Sequence, residues 1–275
     1  MTLSILGIVL TAAFLHALWN ALVKASGDRA ITLGLVAAGH CVPAILLLPM
    51  APVPAMAALP YIVASTVIHW GYYYFLNMAY RFGDLSLIYP IARGTAPVMV
   101  ALGAMVWADE GLPVLAWIGI VTVSAGIMIL AAIRHADTRG IAAALCTSAI
   151  IAAYSIIDGI GIRVSGAPLG YVIWLFAAEI FVVFFVGATR VQRLRALPGK
   201  AVTLGLLGGA ISGLAYALAL YAKTLAPIGI VSAIRETSVI FAALIGVYWM
   251  GEGPARRRLI AASVVALGVI LLTFS

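Results

Sequence analysis

Long apolar stretches separated by short polar gaps dominate this chain. A helix needs about 20 mostly apolar residues to cross a bilayer, and ten stretches reach or approach that length. The gaps carry turn formers and charges, and none is long enough to hold a soluble domain. The pattern predicts ten membrane-spanning helices, over residues 3–23, 30–50, 57–80, 85–108, 114–133, 141–162, 169–188, 201–222, 227–250 and 259–274.

The second half of the chain repeats the first. A shift of 142 residues aligns 71–130 with 213–272 without a gap, and 15 of the 60 positions are identical. Apolar bias explains some of these identities, so the rarer residues are the informative ones. They pair Gly71 with Gly213, Tyr74 with Tyr216, Arg93 with Arg235, Thr95 with Thr237, Trp107 with Trp249, Glu110 with Glu252, Gly111 with Gly253 and Gly126 with Gly268.

Each repeat is predicted to hold five helices, the first over 1–136 and the second over 137–275. Because five is odd, the two repeats must cross the membrane in opposite directions. The predicted fold is therefore an all-α membrane protein with ten transmembrane helices arranged as two inverted five-helix repeats. Secondary transporters of this architecture bind their solute near the midplane, between the repeats.

Several motifs of the chain resemble a known family, the ten-helix EamA-type carriers of the drug/metabolite transporter superfamily. They are the doubled five-helix unit, Glu110-Gly111 and Glu252-Gly253, the small-residue segments Gly119 to Gly126 and Ala261 to Gly268, and Leu18-Trp19-Asn20 with Lys24. The resemblance covers the whole chain and implies a transporter of amino acids, sugars, nucleotide-linked compounds or other metabolites. The first helix lacks the glutamate of the small multidrug members, so the resemblance does not extend to their drug-export mechanism.

Composition supports a membrane location. The chain is 65% hydrophobic and 9% charged, whereas soluble proteins carry roughly 25% charged residues. The net charge of +7 is confined mostly to the polar gaps, as expected of loops that face a membrane rather than of a nucleic-acid surface. Cys41 and Cys146 both lie in apolar runs, so we expect two buried small residues, with no disulfide, metal or cofactor.

Catalytic motifs are missing from the sequence. It contains no His-Glu-x-x-His and no nucleotide-binding loop, and neither a paired-aspartate site nor a nucleophile with a convincing base can be recognised. We therefore predict a transporter and no enzyme activity.

Five ionisable residues lie inside predicted spans, namely Arg93, Asp158, Glu179, Arg235 and Glu236. Each costs about 2.5–3.5 kcal/mol at the bilayer centre on insertion scales, so each needs a functional or structural reason. A rise of about 1.5 Å per residue places both arginines and Glu179 near mid-membrane, with Asp158 closer to an interface.

Two interpretations of the arginines remain open. Arg93 and Arg235 occupy equivalent positions, and together they would suit a carboxylate or phosphate. Alternatively, each is neutralised internally, Arg235 by Glu179 and Arg93 by a helix carbonyl or Tyr89. Glu179 is also the best sequence candidate for proton exchange.

The predicted substrate site combines the membrane-buried ionisable residues and their repeat partners with nearby aromatic side chains and the first-helix motif Leu18-Trp19-Asn20. The predicted hinge rests on the prolines of the fourth helix. Prolines remove helix hydrogen bonds, which predicts a broken or bent fourth helix. The substrate-binding residues are predicted to be Trp19, Asn20, Tyr74, Tyr89, Arg93, Thr95, Glu179, Tyr216, Arg235 and Glu236, and the hinge residues Pro90, Gly94 and Pro97.

Orientation follows from the positive-inside rule. Odd-numbered loops hold 12 of the Lys and Arg residues and even-numbered loops hold two, Arg163 and Lys223. This places the odd loops in the cytoplasm and both termini outside, in a multi-pass protein of the cell (inner) membrane.

The predicted function is the movement of small polar metabolites, amino acids or related organic ions, by alternating access through a central cavity, either as a facilitator or as a secondary carrier. The alternative is a flippase or exporter of a lipid or lipid-linked headgroup. The predicted partners are a small-molecule solute and membrane lipid, with no nucleic acid. Gly205, Gly209 and Gly213 favour close helix contact inside the bundle over a dimer face, so a monomer is favoured and a dimer stays open.

Overall fold

A computed structural model describes the backbone of residues 1–24, 29–82, 85–131, 138–249 and 255–275. It describes the side chains of 1–22, 31–71, 89–131, 138–248 and 255–275. Throughout these ranges the regular secondary structure is helical. The helices are α1 (Leu3–Lys24), α2 (Arg29–Leu47), α3 (Leu59–Phe82), α4 (Leu85–Trp107), α5 (Val114–Met128), α6 (Thr138–Val164), α7 (Pro168–Ala178), α8 (Ile180–Thr189), α9 (Val191–Arg195), α10 (Gly199–Lys223), α11 (Ile228–Arg235), α12 (Ser238–Leu244) and α13 (Ala255–Thr273).

Seven helical segments in the described ranges are long and apolar enough to cross a membrane. They are Leu3–Leu22, Ile31–Met50, Tyr89–Trp107, Thr138–Val164, Pro168–Thr189, Gly199–Lys223 and Ile228–Tyr248. Two shorter apolar segments, Met56–Gly71 and Val114–Met128, fall in predicted spans three and five. The last predicted span coincides with α13, whose first turn carries three arginines.

Two predicted spans are interrupted helices. Span seven consists of α7 and α8, which meet at Glu179, and span nine consists of α11, α12 and a π-helical turn over Ile245–Trp249. At both junctions the backbone bonds tighten from i→i−4 to i→i−3, as in Val182 N to Glu179 O (2.9 Å) and Val239 N to Glu236 O (3.0 Å). Such tightening inside a helix often marks a hinge or a functional site.

Helices from the two halves of the chain pack directly on each other. α1 packs on α10, α3 on α6, α4 on both α6 and α11, α2 on α7 and α8, and α5 on α13. The core therefore lies at the contact between the halves. Large apolar side chains such as Val106, Phe184 and Phe185 project outward instead, which suits a surface covered by lipid.

Glycines bring α5 and α13 into close backbone contact. A Cβ at Gly268 would lie 2.9 Å from the Gly119 oxygen, and one at Gly126 would lie 2.9 Å from the Val265 nitrogen. Residue numbers rise along α5 as they fall along α13, so the two helices are antiparallel. Small residues at such crossings allow the van der Waals packing that holds membrane helices together.

The contact of α10, which is predicted span eight, with α2 confirms that the glycines of this span serve close helix packing inside the bundle. Gly205 faces Leu35, Gly213 faces His40, and Gly209 and Gly39 pack backbone to backbone. Because residue numbers rise together, these two helices run parallel. The stripe of small residues is thus used inside the bundle.

Polar contacts join loops from the two halves of the chain. Loops two and six meet where Ala55 N donates to Ser165 O at 2.8 Å. Loops four and eight meet where Ile228 N donates to Glu110 Oε1 at 2.9 Å. The Arg257 Nε donates to Ile129 O at 2.6 Å and thereby joins the end of α5 to the start of α13.

Replacement of Gly268 by Val should destabilise the protein. The added atoms would overlap Val123 and Gly119, and overpacking of this kind costs about 1–3 kcal/mol. Gly7→Val is the matched control, because a Cβ at Gly7 has no neighbour within 4 Å. Unfolding in detergent, followed by circular dichroism, should show a lower midpoint for Gly268→Val than for Gly7→Val; equal midpoints would contradict this packing.

Candidate functional site

A buried ion pair joins the two halves of the chain. The Nε of Arg93, in α4, lies 2.9 Å from Oε2 of Glu236, at the junction of α11 and α12. The two residues are 5% and 2% exposed. Bringing a charge out of water is expensive unless a partner offsets it, so the pair explains how both residues are accommodated in an apolar bundle.

Polar and aromatic groups surround this pair. Arg93 Nη2 lies 3.4 Å from Nε2 of His16 and 3.5 Å from Oγ of Ser238, and the guanidinium sits 6.0 Å from the centre of the Tyr89 ring. One internal partner expected for Arg93, Tyr89, is therefore close. The sequence had not indicated Glu236 as its main partner.

The first-helix residues Trp19 and Asn20 lie behind His16. The Trp19 indole nitrogen donates to Nδ1 of His16 at 3.3 Å, and the Asn20 amide donates to the His16 carbonyl at 2.7 Å. Both side chains are thus engaged within α1, close to the Arg93 cluster.

Arg235 has a different environment from its repeat partner. It is 6% exposed, and its guanidinium lies 5.8 Å from the centre of the Tyr216 ring. Among the residues that the structure describes, no hydrogen-bond acceptor contacts its buried Nε. Arg235 directly precedes Glu236, the partner of Arg93, in the chain.

Glu179 pairs with a histidine. Its Oε2 lies 2.8 Å from Nε2 of His40, and both side chains are at least nine-tenths buried. The ion pair expected between Glu179 and Arg235 is therefore not formed. The sequence did not indicate His40 as the partner of Glu179, because a lone histidine in an apolar run has no distinctive spacing.

Asp158 is fully buried inside the bundle. Tyr171 donates to Oδ1 at 3.0 Å, and Tyr216 donates to Oδ2. The phenol of Tyr216 thus reaches Asp158 while its ring lies beside Arg235. Two phenolic donors satisfy the carboxylate, and no cation contacts it among the side chains that the structure describes.

Lys223 is also buried, although the sequence suggested a loop position. It is 1% exposed, and its Nζ donates to the Ser155 carbonyl at 2.9 Å. Its alignment with Arg81 at the end of the corresponding helix gave no indication of burial, because charged residues at helix ends usually reach solvent.

Glu110 fastens one end of the bundle. Its carboxylate accepts from the backbone nitrogens of Ile228 (2.9 Å) and Gly229 (3.4 Å), and it pairs with Arg163 at 2.7 Å. The first nitrogens of a helix lack internal partners, so an acidic group there stabilises the start of α11. This contact fixes the position of the start of α11, the helix that carries Arg235.

The predicted hinge helix is continuous. α4 contains Pro90 and Pro97 without interruption, and Gly94 packs against Met128. The break occurs instead in the equivalent helix of the second repeat, after Arg235. The Oγ1 of Thr95 lies 2.8 Å from both Ile91 O and Ser148 Oγ. It can donate to the carbonyl and accept from the Ser148 hydroxyl, and so helps to hold α4 on α6.

An aromatic cluster adjoins Arg235. Tyr216 lies 6.2 Å from Tyr154, 6.0 Å from His69 and 6.3 Å from Phe176, measured between ring centres. The side chain of Tyr74, its predicted counterpart, lies outside the described residues.

One group of side chains has the composition of a metal site. Potential ligand atoms of His40, Cys41 and Glu179 lie within 4.8 Å of one another. The hydrogen bond between His40 and Glu179 gives those two groups a partner without an ion, and we assign no metal there.

Cys41 is buried as predicted, whereas Cys146 is exposed, against the prediction.

Comparison with known proteins identifies the chain. The model of the EamA-like transporter family matches residues 138–274, which is the predicted second repeat without its first and last residues. The chain belongs to the EamA-like family of the drug/metabolite transporter superfamily. It is accordingly a multi-pass membrane protein of the transporter type.

The fold has a solved counterpart. A crystal structure of another protein superposes with a TM-score of 0.75 over 100% of this chain and 98% of that one, at 16% identity. At this identity the similarity concerns the fold alone. No curated protein matches the chain.

Removal of one partner of the Arg93–Glu236 pair should destabilise this EamA-like protein. Glu236→Gln leaves a buried guanidinium without its counter-charge, which costs about 3–5 kcal/mol. Adding Arg93→Gln to Glu236→Gln should recover part of that loss, because no charge then remains. Unfolding free energies of the two single variants and the double variant test this coupling; simple additivity would argue against a direct pair.

Proposed function

We propose that the protein carries a small polar organic ion or metabolite across the cell (inner) membrane by alternating access between its two halves. The observation that carries this proposal is the cluster of buried and half-buried ionisable groups where the halves meet. Arg93, Arg235, Glu236 and His16 come from three predicted spans in both repeats. Ionisable residues at such depth usually mark a solute or ion pathway.

The proposed architecture is ten helices in two inverted repeats. In the 142-residue register, α5 corresponds to α13, and these two helices are antiparallel at their glycine contact. The other contacts also pair up under exchange of the halves, since α1 on α10 is matched by α3 on α6. Both features are expected for an inverted duplication.

Motion between the halves is proposed to use the helices that carry the arginines. The tightened turn at Glu236 and Thr237 supplies a break in span nine. In α4, opposite that break, Pro90 and Pro97 lack backbone hydrogen-bond donors and Gly94 allows more backbone freedom. We propose that these two regions absorb the rocking between outward and inward states.

Both termini are proposed to lie on the non-cytoplasmic side. The amino group of Met1 donates to Thr273 O at 3.3 Å, which supports a common side. Of the two basic residues counted in even loops, Lys223 is buried and Arg163 is paired with Glu110. The remaining positive charge therefore favours cytoplasmic odd loops even more strongly.

Flux through reconstituted liposomes tests the function. Protein in vesicles should accelerate the entry of at least one labelled solute from a panel of amino acids, organic acids and sugars, relative to empty vesicles. Arg235→Gln should reduce that flux, and Gly7→Ala, at an open position of α1, should not. Transfer of a fluorescent lipid between leaflets without any solute flux would favour a flippase and overturn the proposal.

Glu179 is proposed as the group through which protons are coupled to transport. Replacement by Gln keeps a hydrogen bond to His40 but removes the charge. Uptake by Glu179→Gln should then lose its dependence on an imposed pH gradient while basal exchange persists. An unchanged pH dependence would assign Glu179 a purely structural role.

A further inference from the structure

The two arginine motifs differ at a single, central position. The first repeat reads Arg93-Gly94-Thr95, and the second reads Arg235-Glu236-Thr237. The flanking arginines and threonines are identical, so the alignment of the two motifs is fixed on both sides of the central residue. Glutamate in the second repeat therefore stands where the first has glycine.

This difference makes the charges at the repeat contact asymmetric. Glu236 supplies its carboxylate across the interface to Arg93, at 2.9 Å. The equivalent carboxylate for Arg235 would have to come from position 94, and Gly94 has no side chain. Among the residues that the structure describes, Arg93 forms an ion pair with a carboxylate and Arg235 does not, which is the difference that glycine at this position would produce.

Neighbouring groups offset the Arg235 charge only in part. The Tyr216 ring at 5.8 Å offers a cation–π contact, which offsets part of a buried charge. Asp158 already accepts from two phenols, and Glu179 bonds to His40. The buried Nε of Arg235 makes no hydrogen bond among the described residues, and a guanidinium can bind both oxygens of a planar anion at once.

We infer that Arg235 binds the anionic group of the solute, a carboxylate or an oxyanion of similar shape, and that glycine at position 94 keeps Arg235 available for it. Arg93 has a different role, since Glu236 neutralises it and it holds the halves together. The site thus offers one uncompensated arginine instead of two. This inference rests on the proposed function and specifies its substrate class.

A pair of variants of equal size separates charge from bulk at position 94. A Cβ there would lie 3.0 Å from the Met128 side chain and 3.3 Å from the Ser124 carbonyl oxygen, and both side chains would meet these neighbours, so Gly94→Glu and Gly94→Gln should disturb packing to a similar degree. Only the glutamate supplies a counter-charge to Arg235. We expect Gly94→Glu to reduce carboxylate flux about tenfold or more relative to Gly94→Gln, because a competing internal ion pair costs the solute more than 1.4 kcal/mol.

The flux experiment uses the full chain in liposomes with labelled lactate, succinate and glutamate, and with alaninamide as a cation that lacks a carboxylate. Arg235→Gln should lower flux of the carboxylates in the same way as Gly94→Glu, and Arg235→Lys should retain more flux than Arg235→Gln. Equal flux in Gly94→Glu and Gly94→Gln, or carboxylate flux that survives Arg235→Gln, would overturn the inference.

Labelling with phenylglyoxal provides a readout that does not need transport. The reagent modifies arginines whose guanidinium is not engaged, so mass spectrometry should find Arg235 modified faster than Arg93, and succinate should slow that modification. Gly94→Glu should protect Arg235, whereas Gly94→Gln should not. Equal labelling of both arginines would reject the inference even if some solute is carried, whereas absence of all flux with selective Arg235 labelling would reject only the proposed function.

Discussion

The scarcity of water inside the bilayer is the constraint on which this structure depends. In that medium each buried charge must find a partner within the chain or bind one from solution. Arg93 meets Glu236, Glu179 meets His40, and Asp158 accepts two phenols. Most of these contacts join helices that are distant in sequence, so the charged groups find their partners only when the helices pack together.

Duplication supplies the framework, and departures from it supply the proposed function. The small-residue helices α5 and α13, one from each repeat, contact each other through glycines on both helices. The arginine motifs have diverged instead, with Glu236 in one and Gly94 in the other. Two equivalent cations have thereby acquired different surroundings, one in an ion pair and one beside Tyr216. A symmetrical scaffold can in this way present an asymmetrical site to a solute.

Interrupted helices place the ionisable groups where they can act. Glu179 and Glu236 each occupy a tightened turn between two helical segments, and Glu110 stabilises the start of the segment that leads to Arg235. Short segments can reorient with less disruption than a continuous helix. Proposed movement of one half against the other would therefore change the surroundings of Arg235 directly.

Hydropathy and repetition determined the class of protein, the approximate spans and the identity of the membrane-buried charges. They succeed because the apolar requirement of a span is local in sequence and because rare residues such as Arg93 and Arg235 fix the register of the repeat. Only the tertiary structure decided which charges meet: Glu236 with Arg93, His40 with Glu179, and burial for Asp158 and Lys223. Those pairings depend on how helices far apart in the chain rotate and cross, and no short-range pattern encodes that geometry.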